Sequence, residues 1–222
     1  MTGVQTCALP ILLGTCPDIS YAVTKLAQFA ANPSDDHFER AKYICRYLVG
    51  TKDYAIVYNG KSNKGMVTYV DSDWAADPIT RRSVTGYFFK LADGIFSWRS
   101  HAQKTVAHSS TEAEYMALSD CSRQVSWIRN IFEELGMPLK AVPIYGDNQG
   151  SIFIGSNPVQ EIRIKHIDVK YHYIHKCIAK KKIKLFFVPS DENTADMFTK
   201  NLGCIKFYQF RAKLGLEFAR SN

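Results

Sequence analysis

Six cysteines are scattered through the 222 residues, at Cys7, Cys16, Cys45, Cys121, Cys177 and Cys204, and no two of them form a CxxC pair. That argues against zinc and for a reducing compartment. No apolar run reaches the roughly 20 residues that a membrane span needs. The stretch Ala8-Leu9-Pro10-Ile11-Leu12-Leu13-Gly14 is short, and no basic residue precedes it as in a signal peptide. The expectation is a soluble intracellular chain with no membrane partner. Repeats and low-complexity tracts are missing too. Acidic residues are the minority charge, 21 against 28 Lys+Arg, so the net charge is +7 and the pI about 9.0. Such a balance favours a polyanionic partner. At 46% hydrophobic and 22% charged, the chain has the apolar residues for a real core.

Residues 1–11 are set aside, because Thr2-Gly3-Val4-Gln5-Thr6-Cys7-Ala8-Leu9-Pro10-Ile11 reads like the translation of a sequencing-adapter oligonucleotide. From Pro17 the pattern is helical, with Ile19, Ala22, Val23, Leu26, Ala27 and Ala30 near the 3.6 period and Asp18 or Ser20 as cap. A second helix, from about Asp35 to Val49, places Phe38, Ala41, Ile44, Cys45 and Leu48 on one face and Arg40, Lys42 and Arg46 on the other, with Gly50 as a left-handed stop. Tyr54 to Tyr58 is a short strand, and Asn59 to Gly65 a linker. Strands follow at Met66–Asp71, Val84–Leu91 and Ile95–Arg99, the last two joined by the hairpin signal Ala92-Asp93-Gly94. A long helix carries Ala113, Ala117, Cys121, Val125, Ile128, Phe132 and Leu135, opened by a Ser109/Glu112 capping box and closed by Gly136 and Pro138. Next come a strand at Val142–Gly146, a short helix from Asn148, a basic helix within Arg163–Lys182, a strand at Ile183–Val188 and a helical turn at Asn193–Thr199. A last helix places Phe207, Phe210 and Leu214 inward. Three strands, then helix, strand, helix, strand and helix make an α/β sheet of mixed direction.

Four acids sit where strands or apolar stretches give way to turns or helices: Asp71, Glu114, Asp147 and Asp196. Brought together, they form a carboxylate cluster that is tolerable only around cations. Two divalent ions in such a cluster hydrolyse a phosphodiester. No cysteine or histidine cluster competes for softer metals. Each acid has a rival explanation. Asp73 lies on the same strand face as Asp71, Glu112 is the alternative to Glu114, Asp147 before Asn148 could be a helix cap, and Asp196 could be a solvated helix acid.

The stretch Tyr69-Val70-Asp71-Ser72-Asp73-Trp74, the run Ser109-Ser110-Thr111-Glu112-Ala113-Glu114-Tyr115 and Asp147-Asn148-Gln149 resemble the ribonuclease H domain of copia-type LTR-retrotransposon Pol polyproteins. So do Lys165-His166-Ile167-Asp168-Val169-Lys170-Tyr171-His172-Tyr173-Ile174 and Ala195-Asp196-Met197-Phe198-Thr199-Lys200. Upstream, Pro17–Val23 and Ile44–Lys52 resemble the end of that polyprotein's reverse transcriptase and its connection. The division implied is 12–64 as that remnant, 65–202 as the ribonuclease H domain and 203–222 as a tail. The fold implied is ribonuclease H-like, a five-stranded mixed sheet flanked by helices and preceded by a mainly helical remnant. The activity implied is cleavage of the RNA strand of RNA–DNA hybrids, leaving 3′-hydroxyl and 5′-phosphate ends. The ligands carried over are Asp71, Glu114, Asp147 and Asp196, holding two magnesium ions that manganese can replace. The location implied is a cytoplasmic retrotransposon particle with access to the nucleus, and the partner the reverse transcriptase domain of the same polyprotein. One departure is that Val188-Pro189-Ser190-Asp191-Glu192-Asn193 lacks the histidine that cellular ribonucleases H carry before the last acid, which implies slower turnover.

A hybrid is read through its backbone and 2′-hydroxyls, so substrate contacts are expected from Arg81, Arg82, Gln149, Lys165 and His166, with Ser110 and Asn148 bonding the RNA strand. His166, His172 and His175 could suggest a metal trio, but Lys170 and Tyr171 among them favour a substrate-facing or packing helix. Trp74 and Trp98 are read as core. The alternative function is an inactive fragment that grips nucleic acid without cutting. Polymerisation is excluded by the absence of Tyr-x-Asp-Asp, and an integrase by the absence of a closely spaced Asp…Asp…Glu set and of a His/Cys module.

Overall fold

In the computed structural model, residues 11–157 and 165–219 are described, with side chains omitted for 165–168. The six expected strands all form, and the last five of them assemble into one five-stranded mixed sheet. We label its strands β2 (Val67–Asp73), β3 (Val84–Leu91), β4 (Gly94–Ala102), β5 (Val142–Gly146) and β6 (Ile183–Phe187), in the spatial order β4-β3-β2-β5-β6. β3 runs antiparallel to both β2 and β4, while β5 is parallel to β2 and to β6. The β3–β4 turn has Ala92 and Asp93 at φ 51° and 65°, the left-handed pair that a two-residue hairpin needs.

Strand alternation sorts the apolar residues onto two faces. Phe89 points to a core with Val70, Leu118, Cys121, Val125, Ile144, Ile174 and Ile183, under helices α3 (Ser110–Glu134) and α5 (Lys165–Ala179). Its neighbour Phe88 points to the other face, against Ile95, Ala195, Met197, Phe198, Phe210 and Leu214. Ile95 comes from β4, and the others come from the 3₁₀ helix Thr194–Phe198 and from α6 (Cys204–Lys213) with its C-cap Leu214. Phe210 and Leu214 are buried as expected, and Phe207 partly. Between β5 and α5 lies the short helix α4 (Gln149–Ser156).

The chain before the sheet departs more from expectation. Helix α1 (Ser20–Ala27) buries Val23 but is entered through a 3₁₀ turn at Pro17–Ile19, and its N-cap Ile19 makes no side-chain bond. The expected cap Asp18 is instead drawn inward, where its carboxylate accepts from the Tyr47 hydroxyl. Helix α2 (Asp35–Gly50) has none of its residues buried, and Phe38 on its supposed inner face is 62% exposed. It is held largely through Tyr47, which meets Asp18, the Arg211 guanidinium at 3.0 Å and the Phe207 ring. Gly50 is not left-handed; Thr51 ends the helix at φ −121°. Gly136, at φ 72°, is the left-handed stop of α3. Strand β1 (Tyr54–Ile56) pairs with a strand that the sequence did not announce, β7 (Leu216–Phe218), with Tyr54 opposite Phe218.

The two tryptophans separate. Trp98 is half-buried against the Phe88 core and donates to the Leu13 carbonyl. Trp74, expected in the core, is exposed, because its indole N–H is drawn over to the Ala107 carbonyl at 3.1 Å.

Candidate metal centre

Parallel pairing brings the first two acids together. Tyr69 on β2 is in register with Tyr145 on β5, so the residues two positions on, Asp71 and Asp147, emerge side by side at the carboxyl ends of adjacent strands. Asn148, not Asp147, is the helix cap here: its side chain accepts from the Ser151 N–H at 2.8 Å. That leaves the Asp147 carboxylate to the cluster. Asp196 arrives from the opposite face on the 3₁₀ helix. One oxygen from each of Asp71, Asp147 and Asp196 lies within 4.8 Å of the other two.

Glu114 stands beside this trio. It is buried in the second turn of α3, and its Oε1 accepts from the Ser72 N–H at 3.1 Å, tying the helix to β2. Its rival Glu112 has another task, accepting from the His108 N–H while its own N–H is capped by Ser109. The capping box is thus displaced by one residue from the reciprocal form. Asp73, the rival of Asp71, lies at the strand's end outside the trio.

Several side chains that sequence reasoning did not single out hold the acids in place. Thr199 donates from its hydroxyl to Asp71. Asn193 is fully buried, donating to the Val70 carbonyl and accepting from the Ala195 N–H, so it pins the 3₁₀ helix to the central strand. Gln103 joins Ser72, Thr85 and the Ala113 carbonyl behind the acids. Gly86, opposite Asp71, lets that helix approach: a Cβ there would lie 2.7 Å from Phe198 Cβ and Thr199 Cγ2. Two lysines meet Asp196, Lys200 at 2.8 Å from Oδ1 and Lys206 at 2.7 Å from Oδ2. Lys200 is four residues on from Asp196, a helical spacing that could have flagged it. Lys206 has no such signal, since it comes from α6.

The electrostatics fit a cation site. Burial, above all, pushes the Asp71 carboxyl up, against the pull of Lys200 and with the neighbouring carboxylates adding to the rise. Burial also holds Glu114 well above the ordinary carboxylate range, helped by Asp71 and Asp147. Burial pulls the Lys200 ammonium down, but Asp71 and Asp196 outweigh it and hold it above the usual lysine value. Asp196 Oδ1 is buried, and no donor among the described residues is aligned to hydrogen-bond it, although the Lys200 ammonium is close by. Hard carboxylate oxygens of this kind suit a hard divalent cation.

The expected substrate contacts are placed unevenly. Ser110 and Gln149 are exposed at the first turns of α3 and α4, and Asn148 spends its carbonyl oxygen on the cap. Arg81 and Arg82 are exposed beyond β2, in a loop ordered by Asp77, which accepts from the Ile79 and Thr80 N–H groups. The side chains of Lys165 and His166 lie outside the described residues. His175 packs on the Tyr171 ring and bonds the Ile154 carbonyl, as a packing residue does. Among the described residues the acid trio forms the metal-type cluster, and no histidine joins it.

No family model matches the chain. The retrovirus-related Pol polyprotein from transposon TNT 1-94 of Nicotiana tabacum is 38% identical over 203 residues, covering 91% of this chain and 15% of that protein. The corresponding polyprotein from transposon RE2 of Arabidopsis thaliana is 38% identical over 210 residues, covering 94% and 14%. Among solved structures, LC11-RNase H1 is 16% identical with a TM-score of 0.47, covering 61% of this chain and 92% of that one. The chain belongs to the retrovirus-related Pol polyproteins of transposons. It spans about 15% of the length of the curated relatives it matches.

Proposed function

We propose that this chain is the ribonuclease H part of a transposon Pol polyprotein and hydrolyses the RNA strand of RNA–DNA hybrids, leaving 3′-hydroxyl and 5′-phosphate ends. The observation that carries the reading is the trio Asp71, Asp147 and Asp196, with oxygens within 4.8 Å of one another, on a chain of net charge +7. Asp71, from the most central and best-buttressed strand, would hold two magnesium ions together with Glu114, Asp147 and Asp196. Bound there, the ions would supply an activated water and a stabilised leaving oxygen. Thr199 holds one oxygen of Asp71, and the Ser72 N–H holds one oxygen of Glu114. Ser110, Gln149, Arg81 and Arg82 are exposed and would follow the hybrid backbone, with Lys165 and His166 continuing the track from α5. The segment 12–64, with its exposed α2, would face the reverse transcriptase domain of the same polyprotein.

The test is a labelled hybrid incubated with purified protein and magnesium. The wild type should cut the RNA strand, and Asp71→Asn should lose at least about 10³-fold in rate, the scale of several kcal/mol of charge stabilisation. Cutting by Asp71→Asn at the wild-type rate would remove the site assignment. Cutting of single-stranded or duplex RNA instead would remove the substrate.

A further inference from the structure

We propose that Lys206, on the C-terminal helix α6, is a positioning residue for the metal centre: it fixes one oxygen of Asp196, so that the other is the one offered to a cation. The inference rests on the metal-site reading above and adds to it an element lying beyond the four acids.

Asp196 is 1% exposed, yet its two oxygens meet different lysines in different ways. Lys206 Nζ lies 2.7 Å from Oδ2 in an aligned hydrogen bond, 3.4 Å from the Ser190 carbonyl and 4.9 Å from the centre of the buried Phe210 ring. Three contacts from three segments give this ammonium one place to be. An aligned bond between charged groups is short and directional, and it settles the rotation of the carboxylate.

Lys200 makes the contrast. Its ammonium faces Oδ1 at 2.8 Å without hydrogen-bond alignment and lies 3.9 Å from Asp71 Oδ2, so it straddles two acids of the trio. The two side chains reach water to a similar degree, 39% for Lys200 and 34% for Lys206, so it is their partners that separate them. Lys206 is also anchored by the Ser190 carbonyl and the Phe210 ring. The Lys200 ammonium, on its flexible four-carbon stem, is given over to the acids and can withdraw to water. Lys200 therefore holds the place of a cation and yields it, while Lys206 stays. Groups that orient metal ligands from behind typically change metal affinity or activity by about 10–100-fold when removed.

The two lysines predict effects of opposite sign, which a role in charge neutralisation alone would not. Magnesium is titrated calorimetrically into the full chain, with thermal unfolding run alongside to confirm folding. Lys206→Met should weaken magnesium binding by about 10–100-fold, and Lys206→Arg should restore most of it. Lys200→Met should tighten binding by about tenfold, because a competing unit charge is gone. Tighter or unchanged binding in Lys206→Met overturns the proposal, as does failure of Lys206→Arg to rescue. Should Lys206→Met fail to fold, Lys206→Arg against Lys200→Met still decides: unchanged binding in the first with tightening in the second supports the proposal, and equal tightening overturns it. Wild-type protein that binds magnesium in this pattern but leaves hybrid intact sinks the hybrid-cleavage reading while the positioning role stands. Wild-type protein that binds no magnesium overturns both.

Discussion

Asp71 and Asp147 reach the centre differently from Asp196. The first two are placed by backbone: a parallel ladder in register from Tyr69–Tyr145 delivers both carboxylates at neighbouring strand ends, whatever their side-chain neighbours do. Asp196 is placed by side chains. Its short 3₁₀ helix lies on the sheet because Asn193 bonds Val70, because Gly86 makes room, and because Thr199 and Lys206 close on the acids. A ladder spreads its support over many bonds, so no single residue decides it. The 3₁₀ helix depends on a few contacts, and each should show when it is removed.

The sharpest probe of that asymmetry is Gly86→Ala. The added methyl would meet Phe198 and Thr199 at 2.7 Å, and such overpacking costs about 1–3 kcal/mol. Chemical denaturation should show that loss, and hybrid cleavage should fall further, because the strain is released by moving Asp196 away from Asp71. If Gly86→Ala lost stability but kept full activity, the side-chain-held half would be stiffer than described.

Both halves share their charge, and pH exposes it. The Asp71 carboxyl is pushed up to about 7 from 3.8, so its folded value lies above its unfolded one. Stability from this group is therefore fully present below the unfolded value and is lost as pH rises through the folded value. Metal-free protein should lose roughly 5–10 °C in Tm between pH 4 and pH 8 from this source, and magnesium should restore most of it at the upper end. A metal-free Tm that rises across that range would contradict the buried, mutually repelling acids.

A smaller effect is expected at Thr199→Val, which keeps the shape of a buried side chain and deletes the hydroxyl that bonds Asp71. Activity should fall by about tenfold, with a higher magnesium requirement and little change in fold by circular dichroism. Smallest of all is Phe38→Ala. That ring is 62% exposed on α2, and exposed positions of this kind lie within about 0.5 kcal/mol of neutral. A large loss there would mean that α2 is held to the sheet by more than Tyr47.

Strand and helix periods, turn residues and the sites of the four acids are written locally, so the sequence by itself determined the five strands, the long helix, its start at Ser109–Ser110 and the order of the acids. Local writing was less reliable before the sheet. The stripe on α2 reads as a buried face, yet Phe38 and Cys45 stay in water and Ala41, Ile44 and Leu48 are only half-buried, because periodicity says which residues share a face and not what covers them. Trp74 misleads for the same reason: composition favours burial, but one hydrogen bond to Ala107 draws it outward.

Only the tertiary structure decided what required residues far apart in the chain to meet. β7 had no strand signal of its own and exists because Tyr54–Ile56 offered an edge to it. Asp147 was freed from capping because Asn148 took that task. Thr199 lies 128 positions from Asp71, and Lys206 reaches Asp196 from a separate helix. The acids could be found one at a time, since each sits in a local motif. The side chains that aim them could not, because aim is set by contacts between segments, and those contacts exist only once the sheet has brought its two faces together.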